Sequence, residues 1–168
     1  MRRRLCLHLM AVSAGLSLVG CGFALRTAPN FAFKTLFSPL AESSVLGAAL
    51  KRALESGGAV RVITDVRQID QAEVILDVLQ DQREKVVVGV NASGQVREFQ
   101  LRIVFKFKLR SGKGVELIAP TEITQQRDIS FNETAVLAKE SEEGLLYRDM
   151  QNDIVQQIMR RLAAVTTV

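Results

Sequence analysis

The sequence contains one histidine, His8, and two cysteines, Cys6 and Cys21; beyond residue 21 there is neither. That removes Ser-His and Cys-His nucleophile pairs, the usual zinc sites and any disulfide from the body of the chain. Carboxylates do not fill the gap: Asp65, Asp70, Asp77 and Asp81 are spread over strands and turns rather than paired as a general acid and base. Ser111-Gly112-Lys113-Gly114 lacks the Ser or Thr and the following helix that a phosphate loop needs after its lysine, and reads as a hairpin turn. No motif brings a serine and a lysine together. The expectation is a protein that is not an enzyme and carries neither a metal nor a cofactor. Internal repeats and low-complexity tracts are also missing. At 168 residues, 48% hydrophobic and 24% charged, the chain has the composition of one globular domain.

Positive charge is concentrated at the start. Arg2, Arg3 and Arg4 precede a mostly apolar run, Leu5 to Val19, which is too short for a comfortable permanent membrane span. The run ends in Leu18-Val19-Gly20-Cys21, which resembles the lipobox of bacterial lipoproteins, cut before a cysteine that receives a diacylglycerol. The expected organisation is a signal peptide over residues 1–20 and a single mature domain over 21–168, lipidated at Cys21. Removing residues 1–20 lowers Lys plus Arg from 22 to 19 against 18 Asp plus Glu, so the net charge falls from +4 to +1. A nucleic-acid partner thereby loses its electrostatic support. Several acyl chains on one cysteine anchor a protein stably to a membrane, where one chain does so only marginally. Gly22, rather than an aspartate, follows the cysteine; by the same resemblance the address is the outer membrane, on its periplasmic side.

The mature chain is organised around Val96–Arg110. Phe99, Leu101, Ile103, Phe105, Phe107 and Leu109 alternate with Gln100, Arg102, Val104, Lys106, Lys108 and Arg110, which predicts one long strand with an oily face and a basic face. Before it, Phe31–Phe37 and Ala59–Thr64 read as short strands, and Leu46, Ala49, Leu50, Ala53 and Leu54 mark a helix capped by Ser43 or Ser44 and stopped at Gly57-Gly58. Ala72–Leu79 is apolar on both parities, as in a well-covered strand, and Val86–Val90 continues it or begins the next. Turns at Asn91–Gly94 and Ser111–Gly114 make a meander of three long strands. A last helix carries Leu146, Met150, Ile154, Ile158 and Leu162, with Leu145, Val155 and Met159 beside them; its first turn begins either at Asn132 or nearer Ser141, and Gly144 speaks for the later start. The expected fold is α+β: a mostly antiparallel or mixed sheet with both amphipathic helices on its oily face. The basic face is left to water or to an anionic partner.

Three stretches carry a resemblance. Cys21-Gly22-Phe23-Ala24-Leu25-Arg26, Gly94-Gln95-Val96-Arg97-Glu98-Phe99, and Val136-Leu137-Ala138-Lys139-Glu140 with the later Gln156-Gln157-Ile158-Met159-Arg160-Arg161-Leu162 resemble, in order, segments of the LPS-assembly lipoproteins of the LptE family. The resemblance implies a sheet with two helices on one side. It also implies a role as the lipoprotein subunit of the lipopolysaccharide translocon, plugging the LptD β-barrel and helping it assemble. The implied partners are that barrel, lipopolysaccharide, and the membrane through the lipid anchor. Lipid A phosphates and inner-core carboxylates call for Arg and Lys. Lys139 matches a basic position of the family, and Arg97, Arg102, Lys106 and Lys108 complete the expected ligand surface. Where some relatives carry a basic residue in the hairpin turn, this chain has Ala92-Ser93, so Arg97 or Lys85 has to stand in. The rival reading is a periplasm-facing lipoprotein that binds small ligands or supports the envelope without a barrel.

Overall fold

A computed structural model describes residues 29–58 and 60–168. The signal peptide, the domain boundary at residue 21 and the lipidation of Cys21 lie outside the described residues. In chain order the elements are β1 (Thr35–Phe37), α1 (Val45–Glu55), β2 (Arg61–Ile63), a 3-10 turn (Val66–Gln71), β3 (Val74–Val90), β4 (Val96–Ser111), β5 (Glu116–Ser130), a short 3-10 turn (Glu133–Ala135) and α2 (Val136–Ala163). They form a mixed five-stranded sheet in the order β2-β1-β3-β4-β5. The β1–β2 and β1–β3 pairs are parallel, with α1 as the crossover from β1 to β2. β3, β4 and β5 are the antiparallel meander the sequence predicts.

The alternation in β4 sets the layers. Leu101, Ile103, Phe105, Phe107 and Leu109 are buried, and they share one core with Leu46, Leu50 and Leu54 of α1 and Met150, Ile154, Ile158 and Leu162 of α2. Both helices therefore lie on one side of the sheet, as expected. Ser44 caps α1, its hydroxyl accepting a hydrogen bond from the Gly47 N–H at 3.0 Å. The first strand is shorter than its sequence pattern, since only Thr35–Phe37 pair.

β3 is one strand with a change of phase. Val74, Leu76 and Val78 face the helices, Leu79 is the extra residue of a bulge between Val78 and Gln80, and from there Asp81, Arg83, Lys85 and Val87 stand opposite Phe105, Ile103, Leu101 and Phe99. This explains why residues 72–79 read as apolar on both parities. Ile75 points away from the main core and joins Phe37, Ile63 and Ala72 in a second, smaller cluster, with Ile69 of the 3-10 turn packed against it.

α2 starts at the earlier of the two expected points. Asn132 caps the short 3-10 turn, accepting from the Thr134 N–H at 3.1 Å, and the α-helix continues from Val136 through Gly144 without a break. Its buried residues begin only at Met150; the first half overlies the hairpin end of the sheet and is mostly exposed. Leu145, expected to line the apolar stripe, is 55% exposed.

The sheet thus has two distinct ends. At one, the Lys34 N–H donates to Glu73 Oε2 and the Gly112 N–H to the Glu73 carbonyl; a Cβ at Gly112 would sit 2.8 Å from the Ala72 carbonyl, so glycine is required for that approach. At the other end is the β3–β4 turn, closed by Asn91, whose side-chain carbonyl accepts from the Ser93 and Gln95 N–H groups, and by Gly94 at φ 79°. At about 3.3 Å per residue, β3 separates the two ends by roughly 50 Å.

Candidate functional site: a cationic notch at the hairpin end

Lys139 and Lys85 meet where the exposed half of α2 crosses the hairpin. Lys139, on the first turn of α2, places Nζ 2.8 Å from Glu142 Oε2 and 3.0 Å from Ser130 Oγ at the end of β5. Lys85 projects from β3 toward the helix because the bulge at Leu79 has reversed the phase of the strand; its Nζ lies 2.6 Å from Glu143 Oε2. The same ammonium stands 4.4 Å from the centre of the Phe99 ring, a cation–π distance. Phe131 meets Phe99 edge-on at 5.4 Å. Both lysines, Glu143, Phe99 and Phe131 line a notch of about 70 Å3 together with Ile129, Val136 and Glu140, and Glu142 stands just outside it. That is room for about two waters, at roughly 30 Å3 each, so a charged group meets this site from outside rather than being enclosed.

The surroundings of the notch are apolar and exposed. Val87, in register with Phe99 on the helix side, is 46% exposed, whereas Val86 and Val90 pair with Gln100 and Val96 on the open side. Leu137, two residues before Lys139, is 81% exposed. Cations flanked by uncovered aliphatic side chains are the arrangement that suits an anionic amphiphile. Beside the notch, the Tyr147 hydroxyl donates to the Glu84 carbonyl at 2.9 Å and Arg83 lies over its ring at 5.5 Å. Burial raises the Tyr147 pKa above its ordinary 10.0, the negative charge of Glu143 raises it further, and Arg83 works in the opposite sense.

The cations expected from the sequence do not share one surface. Arg102, Lys106 and Lys108 lie on the open face of the sheet, across the strand from Lys139 and the helices. That face is mixed rather than basic. Arg110 Nε is 2.8 Å and Lys108 Nζ 3.8 Å from Asp77 Oδ2, and Arg102 NH1 is 3.7 Å from Glu84 Oε2. Lys106 stands opposite Glu122 of β5, and Gln100 donates to Asp128 at 3.0 Å. Such cross-strand pairs contribute a few tenths of a kcal/mol each, up to about 1, and cancel much of the field that β4 alone would project. Arg97 is exposed near the tip of the hairpin, where the register shifts. Its carbonyl accepts from the Phe131 N–H, which places it beside the notch.

Lys85 is the residue the sequence named only as a substitute, and Glu142, Glu143, Phe131 and Tyr147 went unmarked as site residues. The one signal that could have found them is the phase change of β3, which turns Arg83 and Lys85 toward the helix. A second, wider cleft of about 890 Å3 lies at the opposite end of the sheet, between the 3-10 turn, the β4–β5 turn and the C-terminus. Acidic Asp70 and Glu73 line it as well as basic Arg110 and Lys113, so its charge favours neither sign of ligand. Among the described residues no cluster of His, Cys, Asp or Glu has the makings of a metal site, and no helix is long and apolar enough to cross a membrane.

Comparison with known proteins supplies the context. The family model LptE, described as lipopolysaccharide-assembly, matches residues 33–162. The LPS-assembly lipoprotein LptE of Pectobacterium atrosepticum is 27% identical over 169 residues, covering 98% of this chain and 88% of that one. The solution structure of an uncharacterized lipoprotein B from Nitrosomonas europaea superposes with a TM-score of 0.71 at 32% identity, covering 86% of this chain and 92% of the other. A minor lipoprotein from Acinetobacter baumannii shares the fold at a TM-score of 0.61 and 22% identity, over 81% and 94% of the two chains.

Proposed function

This chain is a member of the LptE lipopolysaccharide-assembly family, and from that membership we propose that it is the lipoprotein subunit of a lipopolysaccharide translocon at the outer membrane. It works by binding and by filling space, without catalysis, as the partner and plug of an LptD-like β-barrel. Cys21 carries the lipid anchor on the periplasmic side. Gly22 to Asn30 then serve as a tether that enters the body near Lys34 and Glu73, so the hairpin end stands roughly 50 Å from the anchored end.

The observation that carries the ligand assignment is the notch at Lys85 and Lys139. Two ammonium groups beside an aromatic floor receive phosphate or carboxylate oxygens by charge-assisted hydrogen bonds, and exposed Val87 and Leu137 receive acyl chains. Arg97 supplies a third cation near the hairpin tip. The open face, with its balanced pairs around Arg102, Lys106 and Lys108, has the character of a surface kept for a polar wall and its water rather than for one anion.

The test is binding of lipopolysaccharide at moderate salt by two variants. Replacing Lys85, Arg97 and Lys139 with alanine is expected to weaken binding at least tenfold, since each lost charged contact is worth about 1 kcal/mol or more. Replacing Arg102, Lys106 and Lys108 is expected to change it less than threefold. The reverse ranking overturns the assignment to the notch. A membrane pull-down through this chain is expected to bring a barrel in a one-to-one ratio; recovery without a barrel favours a lipoprotein that acts alone.

A further inference from the structure

Neither lysine of the notch is free. Glu142 Oε2 sits 2.8 Å from Lys139 Nζ, and Glu143 Oε2 sits 2.6 Å from Lys85 Nζ. These are the distances at which a phosphate oxygen would bind an ammonium group, so the two carboxylates occupy the coordination that an anionic ligand needs. Both pairs are partly open to solvent: the side chains of Lys139 and Glu142 are 22% and 49% exposed, those of Lys85 and Glu143 38% and 23%. Exposed pairs of this kind shift an equilibrium by about fivefold at most, so a ligand can displace them. They are also held in place by the helix itself, since Glu142 is three residues from Lys139 and Glu143 follows it directly.

We propose that Glu142 and Glu143 are built-in competitors of the ligand. On binding, the anionic groups of the lipid displace both carboxylates from Lys139 and Lys85; on release, the carboxylates return and close the notch. This rests on the reading of the notch as the lipopolysaccharide contact and adds to it a reason for weak, reversible holding. A carrier that passes a ligand onward is served by a counter-charge that re-forms without any other partner, because the competing groups are tethered at high local concentration.

The experiment uses the purified full-length chain in detergent and measures binding of bisphosphorylated lipid A, with dephosphorylated lipid A as the uncharged comparison. Glu140→Gln sets the scale for simple loss of one negative charge, because Glu140 lies on the same helical turn and makes no ion pair among the described residues. Glu142→Gln and Glu143→Gln are each expected to tighten binding more than Glu140→Gln does. The E142Q/E143Q double variant is expected to bind about threefold to tenfold tighter than wild type, with no change for the dephosphorylated lipid. If the double variant gains no more than Glu140→Gln, or binds more weakly, the competitor role is overturned. The Lys85→Gln, Lys139→Gln double variant separates the two claims. If it loses affinity while the Glu variants do nothing, the notch is the contact and only the competition fails. If it binds like wild type, the reading of the notch fails and the competition with it.

Discussion

Tyr147 is the only tyrosine of the chain, and it fastens the exposed half of α2 to β3 through the Glu84 carbonyl. Its raised pKa has a definite sign. The folded state holds the phenol proton more tightly than the unfolded state, so this contribution is complete below the ordinary value of 10.0 and is lost as pH climbs through the raised folded value. Alkaline titration followed by phenolate absorbance is expected to show a midpoint above 10.0 in the folded protein, moving downward in Glu143→Gln because the raising charge is gone and only burial still raises it. A midpoint at or below the ordinary value contradicts the described environment. In the core, Phe105 is fully buried, and Phe105→Ala is expected to cost about 3–5 kcal/mol in a denaturant melt. At this scale the sequence was most legible where a residue acts through its own chemistry. Lys139 was found by its family position, and the buried face of β4 by its alternation. Lys85 was harder, because what matters is which face it points to, and that is decided six residues away.

The element that decides it is β3. A single bulged residue, Leu79, 49% exposed, converts a strand whose even positions face the helices into one whose odd positions do. Deleting Leu79 is expected to leave Gln80–Val90 on their present faces, because Val78 and Gln80 already pair with the consecutive residues Phe107 and Lys106 and lose only the extra residue between them. Lipid binding is therefore expected to survive the deletion, and a variant that loses it would contradict the described register. Gly144 sits inside α2, and a Cβ there would meet nothing within 4 Å, so Gly144→Ala is expected to stabilise the protein by about 0.5–1 kcal/mol. That exposure is why Gly144 interrupts the sequence pattern without interrupting the helix. β4 could be read directly because its alternation runs unbroken through the core-facing residues. β3 could not, because its phase changes and because Ile75 feeds a second core. The 3-10 turn at Val66–Gln71 was missed altogether, as six residues are too few to display a period.

At the scale of the whole molecule, the arrangement is a plank with unlike ends and unlike faces. Helices cover one face, and a ladder of cross-strand ion pairs covers the other. The described chain enters β1 at the end with Lys34, and the exposed valines stand at the far end. The layer architecture was evident from two helical stripes and one oily strand face, which can only bury one another on the same side. The charge of the open face was not evident, because the acids that balance β4, namely Asp77, Glu84 and Glu122, come from neighbouring strands and join it only through pairing. Read strand by strand the face is basic, and read as a sheet it is mixed. In the proposed function the notch end meets the lipid and the open face meets the barrel. A photo-crosslinking amino acid placed at Leu137, beside the notch, and at Thr124, on the open face, tests this in intact envelopes. Lipopolysaccharide adducts at position 137 and barrel adducts at position 124 are the expected result. Lipopolysaccharide captured at position 124 and not at 137 would contradict it.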